Sequence, residues 1–281
     1  MRKVKIYTDS TADLPKDVTE KYGITVISLY VTVGGKTYRD GVDIFAKDIF
    51  EHFANTKELP KTAAVTMADY TEAFSKDIND GYDIIHFAIC SEMSSCYHNS
   101  CLVAEELGHI YPIDSKNLST GIGLMAIAAA ELAEKGEDAE SIVEKINAMR
   151  EKVDVSFLLG RLEFLHKGGR CSGVAALGAN VLGLKPCIEV VDGKMTVGKK
   201  YRGNYDKCAV EYVKERLKDN DTIDLHRIFF TYTGISDELI ETLVNDIKSY
   251  LPFEEVLISE AGSTISGHCG PGCLGILYCH K

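Results

Sequence analysis

Gly267-His268-Cys269-Gly270-Pro271-Gly272 sets one histidine among residue types used where a chain turns tightly or comes close to something else. An imidazole in such a place has a ring nitrogen free to meet a carboxylate or phosphoryl oxygen. Two hydroxyl clusters are its natural partners: Thr62 with Thr66, and Ser91 with Ser94 and Ser95. Hydroxyls and a histidine together suit an oxyanion. They bring no evident catalyst. No Gly-x-Ser-x-Gly surrounds the serines, no GxxxxGK runs on into Ser or Thr, no GxGxxG precedes a helix, and Gly121-Ile122-Gly123 is too little for a nucleotide loop.

Each cluster has two readings. Ser91 to Tyr97 falls between an apolar strand and a helix, where free N–H groups and hydroxyls hold an anion or where Ser94 or Ser95 simply caps the helix. Thr66 reads as a helix cap, and Thr62 is open. Asp9-Ser10-Thr11-Ala12-Asp13-Leu14 follows the first strand, at the strand end where ligands gather in α/β sheets. A phosphoryl-transfer aspartate there would need a metal-binding acidic partner, so the segment reads as structural and near a site. His166-Lys167-Gly168-Gly169-Arg170 is a basic turn or a presented guanidinium suited to bidentate contact, with Arg202-Gly203 adding charge. Cys269 and Cys273 flank Gly-Pro-Gly without a CxxC pair, and no metal is expected.

The elements that must position these residues alternate in the first half. Strands are expected at Val4–Thr8, Ile24–Val33, Ile84–Ile89 and Ile110–Ile113. Helices are expected from Asp43 (as N-cap), over Asp69–Asp77, Ser95–Leu107, Gly121–Lys135 and Ala139–Lys152. That alternation predicts a largely parallel sheet covered on both faces. After about residue 152 the pattern changes. Phe157-Leu158-Leu159 opens an irregular basic stretch, and Asp192-Gly193 joins two strands as a hairpin. Helices at Tyr205–Leu217 and Asp237–Tyr250 alternate with strands at Ile228–Tyr232, Val256–Ser259 and Ile276–Cys279. The expectation is α/β with two domains: residues 1–152, an N-terminal mainly parallel α/β sheet domain, and residues 153–281, a C-terminal α+β domain. They should pack closely and share a crevice.

Composition narrows the function. A chain of 281 residues with 45% hydrophobic and 26% charged residues is ordinary for a soluble globular protein. Its net charge of −11 opposes non-specific binding to nucleic acid or an anionic membrane surface. The start runs straight into a strand, and the greasiest run, Ile122–Leu132, is too short to span a bilayer. Nine irregularly spaced cysteines fit free thiols in a reducing cytoplasm.

In order and spacing, these segments resemble the DegV family of fatty-acid-binding proteins over essentially the whole chain. The resemblance rests on Thr8-Asp9-Ser10-Thr11-Ala12-Asp13-Leu14, Tyr38-Arg39-Asp40-Gly41-Val42, Asp114-Ser115, and Leu162-Glu163-Phe164-Leu165-His166-Lys167-Gly168-Gly169-Arg170. Leu184-Lys185-Pro186, Arg202-Gly203 and His268-Cys269-Gly270-Pro271-Gly272 continue it. Two loops depart from the family pattern. Thr62-Ala63-Ala64-Val65-Thr66 stands where Thr-Ser-x-Pro-Ser is usual, and Met93-Ser94-Ser95-Cys96-Tyr97 where Leu-Ser-Gly-Thr-Tyr is usual.

The resemblance implies a binding protein without catalytic residues, carrying a long-chain fatty acid such as palmitate between sheet and helices. It implies that Thr62, Ser94 or Ser95, and His268 hold the carboxylate, and that a separate ATP-dependent fatty-acid kinase phosphorylates it. Arg170, with Arg202, would meet that kinase. No cofactor other than the bound lipid, no nucleic acid and no integral membrane association are implied. Two alternatives stay open: a diverged carrier of another amphipathic carboxylate, and a serine hydrolase using Ser94 or Ser95 with His268 as base.

Overall fold

The most apolar stretch of the chain becomes a helix enclosed on all sides. In the computed structural model, which describes residues 2–171, 173 and 183–281, Thr120–Glu134 forms a helix with ten buried residues distributed around its circumference. A helix apolar all round belongs in a core rather than on a surface. It lies between two sheets, touching strands of both. Gly121 permits the approach, because a Cβ there would fall 2.6 Å from Val155 Cγ2.

The first sheet is parallel, in the order β2-β1-β6-β7. Its strands are β1 (Lys3–Asp9), β2 (Ile24–Ile27), β6 (Tyr82–Ala88) and β7 (Ile110–Asp114). Helices α1 (Lys16–Tyr22), α3 (Met67–Asn79), α4 (Cys96–Leu107), α5 (the enclosed helix) and α6 (Ala139–Arg150) connect and cover it. Thr66 is the N-cap of α3, and its hydroxyl accepts the Asp69 N–H at 3.2 Å.

The second sheet is mixed, in the order β10-β9-β8-β13-β11-β12. It is built from β8 (Val153–Leu159), β9 (Leu184–Val191), β10 (Lys194–Arg202), β11 (Ile223–Thr233), β12 (Glu255–Glu260) and β13 (Cys273–His280). Helices α8 (Tyr205–Leu217) and α9 (Asp237–Tyr250) form a core with this sheet through Tyr212, Val213, Leu243 and Ile247. Another core runs from Ile6 and Phe87 through Met125 to Phe157 and Leu277, so the two sheets share it across α5. Arg227 on β11 reinforces the junction, donating to Glu131 of α5 at 2.6 Å and to Glu255 of β12 at 2.5 Å. The architecture is the expected α/β arrangement: a parallel sheet in the N-terminal part and an α+β unit in the C-terminal part.

Several local expectations need correction. Residues 24–33 are two strands in different sheets, not one. β3 (Tyr30–Val33) pairs instead with β4 (Lys36–Arg39) and β5 (Lys61–Ala63) in a small antiparallel sheet. The break comes where the Leu29 N–H donates to Ser10 Oγ at 3.1 Å and Ser28 Oγ to Asp40 O at 2.9 Å, replacing ladder bonds with side-chain ones. Asp43 caps no helix, because its carboxylate accepts from the Arg39 N–H and guanidinium. Helix α2 (Ala46–Thr56) starts after Phe45, whose N–H donates to Asp48. Phe157-Leu158-Leu159 is not irregular: it ends β8, a strand flanked by β9 and β13. Two short helices, α7 (Glu163–Gly168) and α10 (Ser263–Cys269), had no counterpart in the pattern.

Candidate functional site

Helix α10 has seven residues. A helix so short does not persist in water by itself, so its surroundings hold it. At its start the Gly262 N–H donates to Asp13 Oδ1 at 2.8 Å, and the Ser263 N–H and hydroxyl donate to Asp40 Oδ1 at 2.8 and 2.6 Å. At its end the Gly270 N–H closes on Ser266 O at 2.8 Å, with Gly270 at φ 75°. Gly267 serves closeness rather than a turn, because a Cβ there would lie 2.8 Å from Pro60 Cγ. The expected tight turn therefore begins after His268, which stands in the last turn of a helix.

His268 reaches across to β5. Its Nε2 is 2.9 Å from Thr62 Oγ1. Its Nδ1 is buried without a hydrogen-bond partner among the described residues and packs on Gly168, where a Cβ would come within 2.5 Å. Burial, with a smaller contribution from the Arg170 charge, brings its pKa down to about 4. The imidazole is neutral at pH 7. One nitrogen must then carry the proton, and a buried unpaired N–H is the costlier arrangement. Hydrogen-bond accounting puts it on Nε2, donating to Thr62, which leaves the Thr62 hydroxyl free to donate to a ligand.

Thr62, Ser94, Ser95, Arg170 and His268 all line one cavity of about 590 Å³, together with apolar Leu29, Ile89, Met93, Leu118 and Ile265. Ser94 Oγ accepts the Cys96 N–H at 3.3 Å and lies 3.2 Å from Cys96 Sγ. Behind it, the Tyr70 hydroxyl donates to buried Asp9 at 2.6 Å, and His86 Nε2 stands 3.0 Å from the same oxygen. This confirms a structural use for Asp9. Ser95 is the N-cap residue of α4, makes no side-chain cap bond, and is exposed. The Ser91 hydroxyl is committed to Asp114 at 2.5 Å. The Arg170 guanidinium donates to Gly168 O at 2.7 Å from the cavity rim. Arg202 ends β10, exposed and outside this lining.

From the cavity, Leu118, Ile265 and Cys269 lead into a slot against the second sheet, beside the N-cap of α5, lined also by Val155, Phe157 and Leu277, with about 30 Å³ of free space. The serine and threonine hydroxyls lining the slot are taken up by groups behind it: Ser119 by Asp13 at 2.5 Å, Ser156 by Tyr212 at 2.8 Å, Thr231 by Thr120 at 2.6 Å, and Thr233 by Ser266 at 2.8 Å. The slot therefore presents an apolar surface. Cys273 lies in it beside Cys269, and that contact together with burial pushes the Cys273 thiol well above its ordinary range. Among the described residues, no group of three or more His, Cys, Asp or Glu side chains is placed to hold a metal ion.

Chemically, the arrangement is a polar chamber opening onto a greasy slot. The Ser–His contact of a hydrolase is not among its bonds, since His268 Nε2 meets Thr62 and Nδ1 has no carboxylate to orient it. The specific contacts of Asp13 with Gly262 and Ser119, of Gly168 with the His268 ring and of Cys96 with Ser94 carry no sequence signal. The placement of Asp13 and Asp40 in quoted motifs was the available signal for the carboxylates.

Comparison with known proteins fits this geometry. The family model described as "Uncharacterised protein, DegV family" matches residues 3–281. A DegV domain-containing protein of Clostridium acetobutylicum is 32% identical over 283 residues, covering 100% of both chains. One from Clostridium perfringens is 33% identical over 288 residues, covering 99% of each. Among solved structures, a fatty-acid-binding DegV family protein from Thermus thermophilus superposes with a TM-score of 0.90 at 29% identity, covering 99% of this chain and 100% of that one. A stearic acid-binding protein from Eubacterium ventriosum superposes with a TM-score of 0.83 at 26% identity, covering 99% and 98%. With the match running across the whole chain, this protein belongs to the DegV family.

Proposed function

We propose that this protein binds a long-chain fatty acid and presents its carboxylate to a separate ATP-dependent kinase for conversion to an acyl phosphate. The observation that carries this reading is the Thr62–His268 pair, 2.9 Å apart, at the wall of a cavity that continues into an apolar slot. The carboxylate accepts from the Thr62 hydroxyl and from Ser94 or Ser95, with the neutral His268 ring holding Thr62 in orientation. A buried carboxylate needs such donors, since an unpaired buried charge is very costly. The tail follows Leu118 and Ile265 into the slot. Burial at about 0.8 kcal/mol per methylene offers a sixteen-carbon chain roughly 10 kcal/mol before the costs of binding. Tail burial sets affinity, and the polar end sets orientation.

In this reading the parallel-sheet half (residues 1–152) and the α+β half (residues 153–281) work as one unit, with the ligand between them. Arg170, on the rim of the cavity, and Arg202 face the kinase. The protein supplies no catalyst of its own, and it works in the cytoplasm. The fatty acid bound by the Thermus thermophilus and Eubacterium ventriosum relatives supports the ligand class. The narrow slot favours one competing reading, a carrier of a shorter or differently shaped amphipathic carboxylate.

The test is denaturing extraction of the purified protein followed by mass spectrometry. Near-stoichiometric long-chain fatty acid is expected. A different carboxylate selects the competing reading. Chain that yields no acid and binds none on titration with palmitate refutes the fatty-acid reading, and failure to bind octanoate as well refutes both.

A further inference from the structure

Asp13 lies outside both the chamber and the slot, yet it touches both of the elements that form the passage between them. It is 6% exposed and follows the 3-10 turn at Ser10–Ala12. Its Oδ2 accepts from the hydroxyl of Ser119, the N-cap residue of α5, at 2.5 Å. Its Oδ1 accepts from the N–H of Gly262, the N-cap residue of α10, at 2.8 Å. Its carbonyl oxygen accepts from Ser259 on β12. The passage itself is made by Leu118, one residue before Ser119, by Ile265, three residues after Gly262, and by Cys269 at the end of α10; all three line the chamber and the slot.

We propose that Asp13 is a positioning residue: by tying the N-terminal ends of α5 and α10 to one carboxyl group, it sets the separation of Leu118 and Ile265 and so the throat through which an acyl tail passes. The inference rests on the fatty-acid reading given above and adds to it the residue that controls tail entry.

Two observations favour Asp13 in this role over its neighbour Asp40, and two more show how tight the joint and the slot are. Asp40 bonds Ser263 and Ser10 but no residue of α5 or its cap. Asp13 and Ser119 both hold a positive φ, 49° and 52°, and are hydrogen-bonded to each other. Such a conformation at a non-glycine residue persists where its surroundings over-determine it. The slot beyond the throat has about 30 Å³ of free space, roughly one water's worth, so a tail enters only as its walls adjust. Gly262 leaves little freedom at this joint, because a Cβ there would meet Asp40 Oδ1 at 3.1 Å and Asp13 Oδ1 at 3.2 Å.

The experiment compares wild type, Asp13→Ala and Asp13→Asn in two ways. The first is the methyl NMR spectrum of ligand-free protein at Leu118 and Ile265, with Leu243 and Ile247 on the far core as controls. The second is affinity for palmitate and for octanoate, whose short tail stays in the chamber. Asp13→Ala should shift the Leu118 and Ile265 methyls but not the controls, and weaken palmitate binding at least about tenfold while octanoate changes less than about twofold. Asp13→Asn should restore palmitate binding to within about threefold, since its carbonyl still accepts from Gly262 and the Ser119 hydroxyl can turn to accept from the amide. Unmoved Leu118 and Ile265 methyls in folded Asp13→Ala overturn the proposal, as do equal losses for both acids. If Asp13→Ala does not fold, Ser119→Ala cuts the α5 tie while also touching the slot wall, and should both shift the Leu118 methyls and give the same palmitate-selective loss; unmoved Leu118 methyls there overturn the proposal. If wild type binds neither acid, the fatty-acid reading fails, and the methyl shifts still decide what Asp13 positions.

Discussion

His268 Nε2 and Thr62 Oγ1 meet at 2.9 Å although 206 residues separate them in the chain. One stands at the end of a seven-residue helix and the other on a three-residue strand. Neither element is stable alone, so the pair exists only in the assembled fold.

Removing the Thr62 hydroxyl tests what that pair is for. Thr62→Ala should lower kinase-dependent acyl-phosphate formation by about tenfold or more, the equivalent of one hydrogen bond to a charged group. The apolar tail should still keep the lipid in place. The check is turnover with the kinase beside ligand content by mass spectrometry. Lipid lost on purification of a normally folded variant would count against the assignment.

Gly168→Ala tests the other side of the ring. A Cβ at Gly168 would lie 2.5 Å from His268 Nδ1, so the imidazole must move. Overpacking of this kind costs about 1–3 kcal/mol. The expected outcome is a folded protein with a lower melting temperature and turnover reduced as in Thr62→Ala. Unchanged turnover would mean that the ring does not orient Thr62.

Stability should depend on pH in an unusual sense. Burial holds the Asp13 carboxyl up at about 8, partly offset by its Ser119 and Gly262 bonds, with Asp40 as the neighbouring charge. The folded state then keeps a proton that the unfolded chain gives up near 3.8, so Asp13 removes stability as pH rises from about 4 to about 8. His268, down at about 4, does the reverse between about 4 and 6.5, because the unfolded chain protonates first as pH falls. The two oppose each other below 6.5 and Asp13 acts alone above it. Denaturant titrations should show stability falling between pH 6.5 and 8 with a slope approaching about 1.4 kcal/mol per pH unit. Asp13→Asn should flatten that limb.

Arg170 contributes to the low His268 pKa, but burial is the larger cause. Arg170→Ala should therefore raise it from about 4 without restoring the ordinary 6.5, as followed by NMR titration of the imidazole. Kinase turnover should fall in the same variant while fatty-acid content is retained. A fall in lipid content instead would assign the guanidinium to the ligand rather than to the partner.

Short-range signals were legible in the sequence. Helices at Tyr205–Leu217 and Asp237–Tyr250 match the structure to the residue. The hairpin at Asp192-Gly193 forms with both residues at positive φ, and Thr66 caps α3 through Asp69. Each depends on periodicity, turn chemistry or a cap within a few residues, and those travel with the chain. The hydroxyls and the histidine were also recognisable by type, and Thr62, Ser94, Ser95, Arg170 and His268 do converge on one cavity.

Tertiary structure decided the rest. The split of residues 24–33 follows from bonds to Ser10 and Asp40, and α10 forms because two carboxylates more than two hundred residues away accept its first N–H groups. A seven-residue helix has no local signal strong enough to announce itself. Composition likewise made Thr120–Glu134 an apolar helix, but only packing placed it between two sheets, where its cap and that of α10 meet on Asp13. Residue types establish which groups can hold an oxyanion. Their distances, the neutral charge of His268 and the width of the slot come from burial and from contacts between segments far apart in sequence.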